Sequence, residues 1–169
     1  MQGVVVYKSR YGAAKQYALW LAEALNIPAL TEKEADETAL RHCNYIIAGS
    51  SIYMGKIMLK DWLTKNTGLL KNKKIFLFIV GAAPPEQTEK TRQYFSDNIP
   101  ADLLQQSSCF YLQGKSIFSE LSWLDKLLLK AGAHFAPTPE DKKAMLTDFN
   151  AINKHNLNEL LSAVKQLQQ

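Results

Sequence analysis

The sequence predicts an α/β fold built on a doubly wound parallel sheet with helices on both faces. Three observations predict it: five short apolar runs are typical of strands, helical segments separate them, and loops rich in turn residues follow several strands. Strands that alternate with helices pair in parallel through right-handed crossovers. Their carboxyl ends then lie along one edge of the sheet, where such folds bind ligands. We therefore expect the functional site at that edge.

The predicted strands are rich in β-branched and aromatic residues. They cover residues 3–7, 28–31, 45–49, 74–80 and 108–112. The fourth of them is apolar at every position after Lys74, which is typical of a strand that is buried on both faces. We therefore place this strand in the middle of the sheet.

Segments with apolar residues at helical spacing lie between and after these strands. The predicted helices cover residues 14–25, a stretch after Gly55 in which Ile57, Leu59, Trp62 and Leu63 face inward, and residues 86–97, 121–131 and 156–168. The chain from 116 to 156 is longer than five strand-helix units need. It predicts a tail that is added to the basic fold.

Length and composition predict one domain, residues 1–169. Hydrophobic residues make up 47% of the chain and charged residues 21%, which excludes collagen-like and disordered chains. Two cysteines without a CxxC pair exclude a disulfide framework and a zinc knuckle. The N-terminus has no signal-peptide pattern, and no apolar stretch reaches the ~20 residues of a membrane span. We expect a cytoplasmic protein.

Several chemistries that use such a sheet are excluded by spacing. The dinucleotide motif GxGxxG is absent after the first strand, and the Gly49 to Gly55-Lys56 segment is one residue too long for a phosphate loop of nucleotide hydrolases. Serines stand where a receiver domain needs aspartates, and no cysteine follows the first strand as a cysteine phosphatase requires. The three histidines share no metal-ligand spacing. We therefore predict no metal ligand.

The loop after the first strand has the residues of a phosphate site. Ser9, Gly12 and the start of a helix offer a hydroxyl, a flexible turn and free backbone N–H groups. Lys8, Arg10 and Lys15 are close in sequence, and no acidic residue occurs before Glu23. The alternative is an ordinary turn that leads into a helix.

The loop after the third strand, residues 50–55, offers Tyr53 and Met54 at the carboxyl edge. A flat aromatic ligand could stack on Tyr53, and backbone groups of this loop and of residues 81–83 could bind its polar edge. The alternative is a surface tyrosine without a ligand.

These residues resemble a known family, the flavodoxin-like FMN-binding proteins. The stretch VVYKSRYGAA is similar to the family's phosphate loop, T/S-x-S/T/Y-G-x-T/S, at Ser9, Tyr11 and Gly12. The pattern VVYxSRYGxxKxYAxWLAEAL followed by IIAGSSIYMGK resembles the flavodoxin-domain group that includes the menaquinone-dependent protoporphyrinogen oxidases. The similarity in order and spacing extends over nearly the whole chain.

The resemblance implies a flavodoxin-like sheet of five parallel strands in the order 2-1-3-4-5, with an extended C-terminal helical tail, and FMN as the cofactor. It assigns a further set of residues to parts of FMN. The phosphate is assigned Ser9, Arg10, Tyr11, Gly12 and Ala13, the isoalloxazine Ser51, Ile52, Tyr53 and Gly55, and the ring edge Ala82 and Ala83. We also count Met54 and Ala14, which lie in the same two segments, among the cofactor-binding residues. Ala14 stands where the family usually has Ser or Thr, so one hydroxyl is missing.

The leading functional prediction is a redox protein that passes electrons between a donor and an acceptor, either a protein or a quinone. One alternative is a quinone-linked enzyme of the protoporphyrinogen oxidase type, with the apolar helix 121–131 in peripheral contact with a membrane. The commoner arrangement is that this helix packs on the sheet. Another alternative is an interaction module without flavin. The net charge of +4 favours anionic partners but, without a basic stripe among aromatics, not nucleic acid.

Overall fold

The computed structural model describes residues 2–84 and 87–168. Its strands are β1 (Gly3–Lys8), β2 (Ala29–Thr31), β3 (Tyr45–Tyr53), β4 (Lys56–Ile57), β5 (Lys74–Gly81), β6 (Ser107–Gln113), β7 (Lys115–Ser116) and β8 (Phe149–Asn150). Its α-helices are α1 (Ala13–Leu25), α2 (Glu37–Arg41), α3 (Lys60–Lys65), α4 (Thr67–Leu70), α5 (Thr88–Asn98), α6 (Ala101–Gln106), α7 (Trp123–His134), α8 (Pro139–Leu146) and α9 (Asn158–Gln168). Pro85 and Glu86, which we predict in the third loop and at a helix start, lie outside the described residues.

The predicted fold class and strand order are confirmed. Five parallel strands form a sheet in the order β2-β1-β3-β5-β6, in which β5 and β6 are the fourth and fifth strands of the parallel set. The position predicted for strand 74–80 is wrong, because β3 occupies the middle and β5 lies between β3 and β6. The burial of this strand is as predicted, since residues 75–80 are all buried.

Helices cover both faces of the sheet because successive strand residues point in opposite directions. Val4 and Val6 of β1 pack on one face with residues of α2 to α6. Val5 packs on the other face with residues of α1 and α9. Because the five strands are parallel, their carboxyl ends lie along one edge of the sheet, and the loops after β1, β3 and β5 meet there.

The second predicted loop is partly wrong, because β3 continues through residues 50–53. It turns back into β4 as a tight hairpin, with Ile52 opposite Ile57. Met54 and Gly55 form the turn with φ angles of 48° and 75°. Positive φ at both central residues is the geometry that joins two strands through a two-residue turn. Tyr53 is therefore a strand residue on a rigid hairpin.

The prediction that the apolar helix of the tail packs on the sheet is also wrong. The buried residues of α7 are Asp125 and Ala133, whereas Trp123 is 72% exposed and Leu127 59% exposed. Among the described residues, none of α7 or α8 belongs to the two core clusters. The apolar face of α7 therefore faces solvent. In the described part of the chain, no helix has the length and hydropathy to cross a bilayer.

A buried tyrosine joins α1 to the tail. The Tyr17 hydroxyl donates to the Gln113 carbonyl at 2.7 Å and accepts from Asn156 Nδ2 at 2.7 Å and from the Asn153 N–H at 3.3 Å. Tyr17 is fully buried. A buried polar group that loses its partner costs about 1 to 3 kcal/mol.

We therefore expect Tyr17→Phe to lower the free energy of unfolding by about 2 kcal/mol, because three partly buried polar groups lose this hydroxyl. Urea denaturation measures the effect. Tyr7→Phe is the matched control, since no hydrogen bond joins the Tyr7 hydroxyl to another described residue, and its effect should stay within about 0.5 kcal/mol. Equal effects of the two substitutions would contradict the role of the Tyr17 hydroxyl.

Candidate functional site

The loop between β1 and α1 turns at Gly12 into the first turn of the helix. Gly12 is the N-cap of α1, has a φ of 85° and makes no side-chain cap hydrogen bond. The first backbone N–H groups of a helix have no partner within the helix, and the helix dipole makes this end positive. Ala13 and Ala14 begin α1 with buried side chains, so they offer backbone groups rather than side chains to a ligand.

Ser9 lies in this loop with its hydroxyl in an unusual state. Its Oγ atom is inaccessible to solvent and has no hydrogen-bond partner among the described residues. Buried hydroxyls in folded proteins are nearly always paired, and an unpaired one costs about 1 to 3 kcal/mol. The residues present therefore fit an acceptor group, such as a phosphate oxygen, that binds beside Ser9 at the start of α1.

Sequence reasoning missed Asp125, which α7 brings to this loop from 115 residues along the chain. Its side chain is only 7% exposed, and Arg10 binds it through Nε at 2.9 Å and Nη2 at 2.8 Å. Arg10 binds the Oδ2 atom, which also accepts from the Tyr11 hydroxyl, and the Tyr53 hydroxyl donates to Oδ1 at 2.7 Å. The Asp125 carboxylate thus binds Arg10, Tyr11 and Tyr53, three of the residues that we predict to bind a cofactor.

Arg10 also covers the predicted ring platform. Its guanidinium lies over the Tyr53 ring, 4.0 Å from the ring centroid. The stacked cation and the Asp125 carboxylate hold Arg10 in place from two sides. One face of Tyr53 is therefore occupied by the protein's own side chain.

The remaining residues of the second loop are placed by the β3–β4 hairpin. Ser51 is buried and Ile52 half-buried, while Met54 is 67% exposed at the tip. Asn98 of α5, which the sequence did not suggest, holds the hairpin: its side chain accepts from the Ile57 N–H at 3.2 Å and donates to the Gly55 carbonyl at 3.3 Å.

The third loop reaches the same edge after β5. Ala82 is exposed and Ala83 half-buried. The Tyr111 hydroxyl, from the neighbouring strand β6, donates to the Ala83 carbonyl at 2.9 Å and fixes the loop. No local sequence pattern marks Tyr111 or Asn98, because each contacts its loop through the tertiary fold alone.

The predicted cations of the phosphate site are neutralised in part. Lys8 pairs with Glu32 at 3.2 Å and Arg10 pairs with Asp125, while Lys15 is exposed on α1. The hydrogen bond to Asp125 raises the pKa of Arg10. The sequence suggested a loop free of acids, but the fold supplies two carboxylates to it.

A groove of about 400 Å³ opens beside Tyr11 and Gly12, between the first turns of α1 and the short β7–β8 pair. Lys115 and Asn150 line its far side. Tyr53 does not line it. The open space next to the loop therefore lies on the tail side, whereas Arg10 and Asp125 close the Tyr53 side.

The environment of the Asp125 carboxyl predicts that the stability of the protein depends on pH. Burial alone would raise the pKa of this carboxyl, but the hydrogen bonds from Tyr11, Tyr53 and Arg10 and the charge of Arg10 outweigh burial and lower its pKa to about 2. A carboxyl whose pKa falls on folding stabilises the fold above its unfolded pKa and loses this effect as the pH drops towards the folded value.

We therefore expect the stability difference between the wild-type protein and Asp125→Asn to be constant above about pH 5 and to shrink between about pH 4 and pH 2. Denaturant titrations at several pH values measure it. Asp102→Asn, an exposed aspartate of α6, is the control and should show no such window. A difference that persists unchanged to pH 2 would contradict the assignment.

Comparisons with known proteins agree with this architecture. The family model described as Flavodoxin domain matches residues 4–143. A WrbA-like flavodoxin from Agrobacterium tumefaciens is similar over 98% of both chains, with 19% identity and a TM-score of 0.51. A flavodoxin from the domain Archaea covers 98% of this chain and 99% of its own, with 17% identity and a TM-score of 0.45. No curated protein sequence matches significantly. The chain belongs to the flavodoxin domain family.

Proposed function

We propose that the protein binds FMN and passes electrons between a redox donor and an acceptor. The observation that carries this proposal is the buried, unpaired Ser9 hydroxyl beside the uncapped start of α1. A phosphate group is the ligand that this combination of hydroxyl, free N–H groups and positive helix end favours. Membership of the flavodoxin domain family supports FMN as the compound that carries the phosphate.

In this proposal the phosphate is bound by the Ser9 hydroxyl, by backbone N–H groups of residues 10–14 and by the Arg10 guanidinium. Tyr53 and its hairpin bind the isoalloxazine, with Ala82 and Ala83 at the ring edge. FMN supplies the redox chemistry when it is bound, and the protein tunes it through hydrogen bonds and nearby charge. Ala14 supplies no hydroxyl to the phosphate. The missing hydroxyl lowers the FMN affinity about ten- to a hundredfold relative to a site that has Ser or Thr at this position.

FMN titration tests the proposal. We expect the purified protein to bind FMN in a one-to-one complex and to bind riboflavin, which lacks the phosphate, more weakly. Quenching of flavin fluorescence and the visible spectrum report binding. A protein that is colourless after aerobic purification and ignores added FMN would support an interaction module without flavin instead.

A second candidate function, quinone-linked oxidation of a porphyrinogen, is favoured by the exposed apolar side of α7. Trp123, Leu124, Leu127 and Leu128 are exposed there, with Lys126 and Lys130 beside them. Apolar side chains flanked by lysines are typical of helices that lie on anionic membranes. Lipid-soluble quinones reside in such membranes, which would bring the acceptor to the protein.

Two measurements separate the carrier from the enzyme. Oxidation of protoporphyrinogen with a quinone as acceptor is expected only of the enzyme. Sedimentation with vesicles, with and without anionic lipid, tests the membrane contact, and Leu124→Ser combined with Leu127→Ser should abolish it. If the protein binds flavin but neither sediments with vesicles nor oxidises the porphyrinogen, the result favours the electron carrier over the enzyme.

A further inference from the structure

The tail helix α7 contacts the functional edge through polar groups rather than apolar ones. Amphipathic helices normally bury their apolar face. In α7 the exposed side holds the large apolar residues, and the buried side carries the Asp125 carboxylate. The hydrogen bonds from α7 and its cap to the β1–α1 loop and to β3 involve Asp125 and the Ser122 N–H, which donates to the Tyr11 hydroxyl at 3.2 Å. Asp125 thus attaches α7 to the site.

The partners of Asp125 are groups that a bound cofactor would also need. Arg10 and Tyr11 belong to the phosphate loop, and Tyr53 is the ring platform of the proposed function. Arg10 gives two of its N–H groups to Asp125 and covers one face of Tyr53 at 4.0 Å. These donors cannot all serve the carboxylate and an incoming ligand in the same arrangement.

The negative charge of Asp125 also disfavours binding of a phosphate in the loop. A phosphate monoester carries close to two negative charges at neutral pH. The carboxylate neutralises Arg10 and places a like charge next to the position where that phosphate would bind. Its own depressed pKa keeps it ionised throughout the neutral range. Both the hydrogen bonds and the charge of Asp125 therefore disfavour binding of an anion in the loop.

We propose that Asp125 is an internal competitor for the phosphate site and closes the site in the ligand-free protein. Arg10 and Tyr11 leave Asp125 when they bind the phosphate, Tyr53 becomes accessible, and α7 loses its main attachment to the loop. This inference rests on the proposed function, since the incoming anion is the phosphate of FMN.

The first test is the FMN affinity of Asp125→Asn. This variant removes the charge and keeps the shape, and its one amide oxygen can still accept from one of the two tyrosines, which donate to different oxygens of Asp125. We expect it to bind FMN at least tenfold more tightly than the wild-type protein. Asp102→Asn is the charge-matched control, because α6 leads into the amino end of β6, at the opposite end of the sheet. It should leave the affinity unchanged.

A double-mutant cycle with Arg10→Ala tests the mechanism. If Asp125 competes for Arg10, then Asp125→Asn should gain much less affinity when Arg10 is already absent. Hydrogen exchange of residues 123–134 gives a second measurement that needs no variant. We expect FMN to speed exchange in α7 of the wild-type protein, and Asp125→Asn to show the faster exchange without FMN.

The outcomes separate the two proposals. If the wild-type protein binds FMN and Asp125→Asn binds it equally or more weakly, the competitor role is wrong while FMN binding stands. Additive effects in the cycle, or slower exchange of α7 with FMN, would also overturn it. If neither the wild-type protein nor any variant binds FMN, both the proposed function and the competitor role are wrong. Binding by Asp125→Asn alone would support the competitor role, whereas the wild-type protein would then fail the FMN titration of the proposed function.

Discussion

Replacing Ser9 by alanine is expected to weaken FMN binding by about ten- to a hundredfold, because a hydrogen bond to a charged group contributes about 1.5 to 3 kcal/mol. The same substitution should leave the ligand-free protein as stable as before or more stable. Its Oγ atom has no partner among the described residues, so alanine removes an unpaired buried hydroxyl rather than a contact. Flavin fluorescence titration and urea denaturation measure the two effects.

This combination of effects separates a binding residue from a structural one. A serine that caps a helix or joins two segments loses stability when it is replaced, whereas Ser9 should lose affinity alone. Ser119→Ala, on the exposed tail, is the matched control and should change neither quantity. A loss of stability without a loss of affinity would place the Ser9 hydroxyl in the fold and remove the main support for the phosphate site.

The architecture could be predicted because it depends on local patterns. The apolar runs and helical periods locate each parallel strand to within a few residues, and the glycine turn at Gly12 marks the passage from β1 to α1. These signals are short-range, so a single sequence carries them. The extension of β3 to Tyr53 was missed because Ser50, Ser51 and Gly55 are typical of loops.

The closure of the site could not be predicted from local patterns. Asp125 and Arg10 are 115 residues apart, and nothing near either of them indicates the pair. The orientation of α7 was predicted wrongly for a related reason. The general rule that an apolar stripe packs inward assumes that hydrophobic burial positions the helix, whereas here hydrogen bonds to one carboxylate do so.

Gly49 shows how one residue type supports two interpretations. In the sequence it follows an apolar run and resembles the start of a nucleotide loop. In the structure it lies inside β3, directly opposite Phe78 of β5. A Cβ atom added to Gly49 would lie 2.0 Å from Phe78 Cζ, and Phe78 is fully buried. The glycine is required by packing and not by a ligand.

Gly49→Ala is therefore expected to lower the free energy of unfolding by about 3 kcal/mol or more, at the upper end of overpacking effects, because the buried Phe78 ring has no space to move into. Urea denaturation followed by circular dichroism measures it. Gly68→Ala is the control with the same chemical change. It lies on the exposed side of α4 with nothing within 4 Å of an added Cβ, so it should be neutral or slightly stabilising.

A second substitution tests the cause of the destabilisation. Phe78→Leu removes the ring atoms that the new Cβ would contact, and it leaves a cavity of its own in the wild-type background. If the clash is the reason, Phe78→Leu should cost much less in the Gly49→Ala background than alone, because the added methyl group fills part of that cavity. Additive costs would mean that the ring is not the obstacle and that Gly49 is needed for the backbone of β3 instead.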